Sequence, residues 1–254
     1  MPHRFRIPKK VDQFGRVFEE AGHSCYLVGG AVRNMVLRRT PTDFDFATDA
    51  DPKKVMRLFR KVIPTGIKHG TVTVLFKGER YEVTTFRVEG AYSDSRHPDE
   101  ITFTPSIEED LARRDFTINS MAVRIPGGTL LDPFGGQQDL KAGIIRTVGA
   151  AEERFSEDAL RMVRACRFAA QLQFDVDPEL RGAAEKVAPN IRNVSAERIR
   201  EELEKMLRTD VPSTGFLEME RTGLLELILP ELTACRGVPQ GGFHSYDEIG
   251  RAHV

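Results

Sequence analysis

What most constrains this chain is a change of hydrophobic period near its middle. From residue 25 to about 148, short β-like apolar runs alternate with single helical stretches, and glycine and proline punctuate them. From Glu152 onward the spacing is helical, with Phe155, Ala159, Met162, Val163, Cys166 and Ala170 on one predicted face. Such a chain is expected to fold as an α/β head, a small mixed sheet with helices, followed by an all-helical part. With 254 residues, 40% of them hydrophobic, it can build one large core or two modest ones.

In the first half, Tyr26-Leu27-Val28 reads as a short strand ending at Gly29-Gly30, and a helix is expected from Ala31 to Arg38. Phe44 and Phe46 alternate with Asp43 and Asp45, a strand period that sends both phenylalanines to the core. Asp51-Pro52 predicts a capped helix reaching about Lys61. Thr71 to Phe76 and Tyr81 to Phe86 predict a hairpin around Lys77-Gly78-Glu79-Arg80, and Leu130-Leu131 a last strand before a glycine-rich turn. In the second half, Ser195 is expected to cap a helix whose core face is Ile199, Leu203, Met206 and Leu207. A third helix spans Ser213 to Arg221 and stops at Gly223.

The carboxylates carry the chemistry. Residues i and i+2 of a strand share a face, so Asp43 and Asp45 point the same way. Like charges held side by side call for a cation, and carboxylate oxygens suit Mg²⁺ while leaving its other positions to water and phosphate. An EF-hand does not fit, because its glycine and distal glutamate are missing. Glu82 sits mid-strand among β-branched and aromatic residues; taken alone it reads as a solvent-facing edge residue. Gly29-Gly30 closes a strand and opens a helix, which offers backbone N–H groups to an anion, and Arg33 can reach the same place. No Walker lysine follows, and a glycine pair alone is usually a tight turn. Asp158 and Arg161 are i and i+3 on a helix, by default a surface ion pair, but Arg164 and Arg167 continue the spacing.

Six segments occur in order: LVGGAVRN, TDFDFAT, YEVTTFR, RRDFTINSMA, LLDPFGGQQDL and SEDALRMVRACRF. Together they resemble the class II tRNA nucleotidyltransferases and their bacterial poly(A) polymerase relatives, over nearly all of the chain from Tyr26 to about Leu207. One departure is Asn34, where the family usually has aspartate. The resemblance implies a catalytic head over residues 1–140, a helical neck over 141–207 that recognises the base, and the start of a helical body over 208–247. It implies that Asp43 and Asp45 hold two Mg²⁺ ions, with Glu82 as third carboxylate. Gly29, Gly30 and Arg33 would contact the triphosphate, Arg114 the nucleotide, and Asp115 and Asn119 the ribose. From the residues alone, Asp115 reads as the N-cap of a helix start. The resemblance further implies that Asp158 and Arg161 read the base, that Arg164 and Arg167 face triphosphate or primer, and that DPFGG is a hinge.

The implied activity is addition of CCA to tRNA 3′ ends from CTP and ATP, because the segment from Arg87 to Pro98 resembles the loop of CCA-adding and A-adding enzymes. A-only or poly(A) addition is the alternative within the family. A non-catalytic RNA- or nucleotide-binding module is an alternative of another class, and His244 near Asp247 hints weakly at a phosphohydrolase. A net charge of −1 argues against broad electrostatic capture of RNA, leaving that to local patches. Cys25, Cys166 and Cys235 are scattered and odd in number, which suits a reducing cytoplasm. No apolar run is long enough for a membrane span, and nothing marks an oligomeric state. The tail Glu248 to Val254 reads like a translated sequencing adapter, so the reading frame is expected to be lost near Asp247.

Overall fold

The computed structural model describes residues 4–41, 43–90 and 101–237. Most of the predicted loop, His244, Asp247 and the tail 248–254 therefore lie outside the described residues. The chain divides into two compact units, residues 4–90 with 101–142, and 143–237.

The first unit opens with α1 (Lys9–Glu20), which the sequence reading did not anticipate, although Val11, Phe14, Gly15 and Phe18 bury one helical stripe. Strand β1 (Cys25–Val28) leads into α2 (Gly30–Val36), then β2 (Asp45–Thr48) and α3 (Pro52–Leu58). The carboxylate of Asp51 caps α3 by accepting from the Lys54 N–H at 3.0 Å. This helix stops at Leu58 rather than near Lys61, because Phe59 turns extended and enters an aromatic cluster with Phe14, Phe18 and Phe76.

An unanticipated strand, β3 (Val62–Gly66), follows, with Pro64 tolerated because β3 is at the sheet edge. The predicted hairpin is present as β4 (Thr71–Phe76) and β5 (Glu79–Thr85). Its turn is only two residues, Lys77 and Gly78, both at positive φ (50° and 85°), the geometry that matches strand twist. Then come β6 (Arg87–Glu89), β7 (Ile101–Phe103), α4 (Ile107–Ala112), β8 (Ala122–Arg124), β9 (Leu130–Leu131) and α5 (Gly136–Ala142). Seven strands form one sheet in the order β3-β4-β5-β2-β1-β8-β9, in which only β2 and β5 run parallel. The predicted α/β head with a small mixed sheet is what forms.

One detail corrects the expectation from sequence, and a second adds to it. Strand β2 begins at Asp45, so Asp43 and Phe44 precede it, and Phe44 is only half-buried while Phe46 is core. The DPFGG segment forms a hydrogen-bonded turn, close-packed at Gly136. Asp132 accepts from the N–H groups of Gly136 (2.7 Å) and Gln137 (2.9 Å), and a Cβ on Gly136 would meet the Thr117 carbonyl oxygen at 2.4 Å.

The second unit is helical: α6 (Ala151–Glu157), α7 (Leu160–Leu172), α8 (Pro178–Val187), α9 (Ala196–Leu207), α10 (Pro212–Arg221), α11 (Leu224–Ile228) and α12 (Pro230–Ala234). Two short strands, β10 (Ile144–Ile145) and β11 (Asp175–Val176), pair in parallel within it. Phe155, Ala159, Met162, Val163, Cys166 and Ala170 are all buried, as the helical period predicts, but the run breaks into two helices at Asp158. In α9 the inward residues are Glu202 and Met206, with Ile199 and Leu203 half-buried, while Leu207 is 59% exposed. Glu202 takes the inward place because Arg167 of α7 pairs with it, which turns Leu207 outward. Ser195 occupies the N-cap position of α9 without a side-chain cap bond.

Candidate active site

The head site is a row across the sheet. Thr73 of β4 pairs in register with Glu82 of β5, Glu82 with Asp45 of β2, and Asp45 with Val28 of β1, after which Gly29 turns the chain. Laterally paired residues project to the same face at about 4.8 Å per strand. Asp45 and Glu82 therefore stand side by side, with the Gly29 turn on one flank and Thr73 on the other. Nothing in the one-dimensional period reveals that pairing, which joins residues 37 positions apart through the one parallel pairing of the seven-stranded sheet.

Gly29 has φ 67° and ψ −136°, a backbone that glycine alone adopts cheaply. Two guanidinium groups hang over the turn: Arg114 Nη1 lies 3.6 Å from where a Gly29 Cβ would sit, and Arg33 Nη2 3.5 Å from that of Gly30. Arg33 is buried and donates to Asn119 Oδ1 at 2.9 Å and, more weakly, to Asn34 Oδ1 at 3.3 Å. Asn34 thus helps orient Arg33. Asp115 is not a helix cap: its carboxylate accepts from the Phe116 N–H at 2.8 Å, and Phe116 precedes the short 3-10 turn Thr117–Asn119. So Gly29, Gly30, Arg33, Arg114 and Asn119 converge, and Asp45 feels Arg114 as well.

Asp110 is the head residue that sequence reasoning missed. Its carboxylate is fully buried and accepts from Arg113 Nε (3.0 Å), Arg113 Nη2 (2.8 Å), Arg114 Nη2 (3.1 Å) and the Arg87 N–H (3.3 Å). Burial opposes its ionisation, but the two arginines outweigh that and hold its pKa below the ordinary carboxylate range. The signal was available, since Ser106 and Glu109 mark a helix start three residues apart and Asp110 falls on its inward stripe.

Asp45 is shifted in the opposite direction. Surrounding protein desolvates its carboxyl although solvent reaches the side chain. The negative charges of Glu82 and Asp43 raise it further, and Arg114 only partly offsets them. A cation between these carboxylates would relieve that repulsion. Among the described residues no three His, Cys, Asp or Glu side chains form a closed cage. An open pair of carboxylates nonetheless fits Mg²⁺, which takes one or two of them and fills the rest with water and phosphate.

In the helical unit the predicted pair is partnered differently. Asp158 does not pair with Arg161. It accepts from Arg198 of α9 through both oxygens (2.7 and 3.3 Å) and from the Leu160 N–H at 3.1 Å. Arg161 donates to Glu157 Oε2 at 2.5 Å and to the Arg154 carbonyl at 3.1 Å. Arg167 is buried, donating to Glu202 Oε2 at 2.5 Å and to Gln171 at 2.7 Å, and Arg164 lies close enough to act on Glu202. Arg198 and Glu202 went unnoticed because their partners lie 40 and 35 residues away.

A mixed sheet carrying paired carboxylates beside a glycine turn and two arginines defines a nucleotidyltransferase head. The comparisons agree. Residues 25–146 match the "Poly A polymerase head domain" and residues 173–236 the "Probable RNA and SrmB- binding site of polymerase A". A CCA-adding enzyme of Leuconostoc mesenteroides is 52% identical over 189 residues, 74% of this chain and 47% of that protein. One from Bacillus subtilis is 48% identical over 211 residues, 83% of this chain and 53% of that protein. The crystal structure of the Bacillus stearothermophilus CCA-adding enzyme in complex with CTP superposes with a TM-score of 0.79 at 44% identity, covering 85% of this chain and 52% of that one. The Thermotoga maritima CCA-adding enzyme complexed with tRNA gives 0.72 at 28% identity, covering 89% and 54%. The chain belongs to the class II tRNA nucleotidyltransferase and bacterial poly(A) polymerase family. It spans about half the length of the curated relatives it matches. No helix among the described residues is long and apolar enough to cross a membrane.

Proposed function

We propose that this chain carries the catalytic part of a CCA-adding tRNA nucleotidyltransferase, which extends tRNA 3′ ends from CTP and ATP and releases pyrophosphate. The observation that supports it best is the row Gly29 turn, Asp45, Glu82: an anion site flush against a carboxylate pair. The relatives named as CCA-adding enzymes favour this reading over A-only or poly(A) addition. A tRNA substrate also fits a cytoplasmic setting.

On this reading the N–H groups at Gly29 and Gly30 hold the triphosphate together with Arg33 and Arg114. Asp115 and Asn119 shape the ribose pocket, Asn119 also fixing Arg33. Asp43 and Asp45 hold Mg²⁺, which when bound supplies charge neutralisation at the attacking and leaving oxygens. Glu82 accepts the proton of the RNA 3′ hydroxyl or steadies that end of the row. The oxygen–phosphorus bond forms at the α-phosphate as the bond to pyrophosphate breaks, so positioning and fixed charge do most of the work. Asp158 accepts from, and Arg161 donates to, the base edge, while Arg164 and Arg167 bear on triphosphate or primer. Engaging a base requires each to exchange part of its present bonding with Arg198 or Glu157.

The test is incubation with tRNA lacking CCA, all four nucleotides and Mg²⁺, followed by sequencing of the product ends. Ends that read CCA and stop support the proposal. A added only after CC, or a long A tract, moves the chain to a sister activity. Normal RNA binding with no incorporation refutes the catalytic reading.

A further inference from the structure

The row of residues also has a direction, and we infer from it where the acceptor RNA lies. This inference builds on the nucleotidyl-transfer reading. The Gly29 turn with Arg33 and Arg114 occupies one flank of Asp45, so the leaving pyrophosphate belongs there. In-line displacement brings the attacking hydroxyl from the opposite side. Across the sheet that side is the flank of Glu82 and Thr73.

A cleft opens on that flank, and its wall includes Asp43, Asp45, Glu82, Thr73, Lys9 and Arg80, while Gly29, Gly30, Arg33 and Arg114 take no part in it. The cleft wall also includes Glu79, and four carboxylates facing a polyanion would repel it unless cations stand at the rim. Lys9, at the first turn of α1, and Arg80, at the second position of β5, are both exposed. Neither side chain has a hydrogen-bond or ion-pair partner among the described residues. Their neighbours are engaged: Lys10 pairs with Glu79 at 2.6 Å, and Lys77 donates to Gln13 at 2.6 Å. Two cations left unpaired beside a carboxylate cleft are poised for phosphate. Lys9 and Arg80 therefore grip backbone phosphates of the single-stranded acceptor end and lead its 3′ hydroxyl toward Glu82 and Asp45.

The experiment is equilibrium binding of a short RNA hairpin with a single-stranded 3′ CC end, titrated over a salt series. It compares the unchanged protein, Lys9→Ala/Arg80→Ala and Lys9→Arg/Arg80→Lys. Each single-strand phosphate contact contributes about 0.7 to the slope of log affinity against log salt, so losing two lowers the slope by about 1.4. The alanine pair should show that drop and a matching loss of RNA affinity, while CTP binding stays unchanged. The charge-preserving pair should bind RNA as the unchanged protein does. An unaltered slope in the alanine pair overturns the inference, as does an equal loss in the charge-preserving pair. Replacing the last two linkages of the RNA by neutral methylphosphonates should mimic the alanine pair and add nothing to it; additive losses also overturn the inference. Because the readout is binding, it is separable from the incorporation assay, whose failure would count against nucleotidyl transfer instead.

Discussion

Replacing Asp110 by asparagine tests how the head holds Arg114. The substitution preserves shape, but one carboxylate oxygen becomes an N–H donor. Oδ1 accepts from Arg113 and the Arg87 N–H, whereas Oδ2 accepts from Arg114 Nη2. The amide therefore settles with its oxygen toward Arg113 and its N–H groups facing another donor, so Arg114 is the group released. Asp110 is fully buried, and Arg113 and Arg114 are 16% and 19% exposed, so screening is limited. Removing one partner of a buried pair costs about 3–5 kcal/mol. With shape and one acceptor retained, the loss should fall near the lower end, about 3 kcal/mol.

The sign of the pH dependence follows from the depressed pKa. A carboxyl ionised more readily folded than unfolded stabilises the protein above its unfolded value of about 3.9, and that stability fades as pH falls through the folded value. The gap between the unchanged protein and Asp110→Asn should be full at neutral pH and shrink as both are taken down past about pH 4. The chain has no tryptophan, so urea unfolding can be followed by tyrosine emission, with Tyr26 and Tyr81 reporting on the first unit. CTP affinity should fall at the same time. A gap below about 1 kcal/mol at neutral pH, or one unaltered by acid, would refute the reasoning.

Other outcomes follow from the same geometry. Asp45→Asn should reduce incorporation on the order of 10³-fold while the protein remains folded, as judged by circular dichroism. Gly136→Ala should destabilise by about 1–3 kcal/mol in urea, since its Cβ would meet the Thr117 carbonyl oxygen at 2.4 Å. Gly182→Ala, with nothing within 4 Å of its Cβ inside α8, should instead stabilise by roughly 0.5–1 kcal/mol. Arg198→Ala removes the guanidinium that orients the Asp158 carboxylate, so discrimination should relax and incorporation of UTP relative to CTP should rise; unchanged selectivity would count against Asp158 as an oriented base reader.

The sequence by itself determined the class of the fold and, through the motifs it shares with the family, proposed most of the candidate site residues, though not Asp110, Arg198 or Glu202. Period 2 around Asp45 and Glu82 and the helical period after Glu152 are local consequences of backbone geometry, so they can be read without the rest of the chain. The buried helical face through Ala170 and the hairpin followed for that reason. The tertiary structure decided which charges meet. Asp45 stands beside Glu82 only because β2 and β5 pair in parallel, and Arg114 overhangs Gly29 only because Asp110 holds it there. Asp158 turned to Arg198 and Arg161 to Glu157, although spacing alone offered each to the other. Leu207 was displaced outward for the same kind of reason, once Glu202 had an arginine to bury against. Helical spacing says which residues share a face, but a buried charge goes to the partner that best replaces water, and that partner can come from anywhere along the chain.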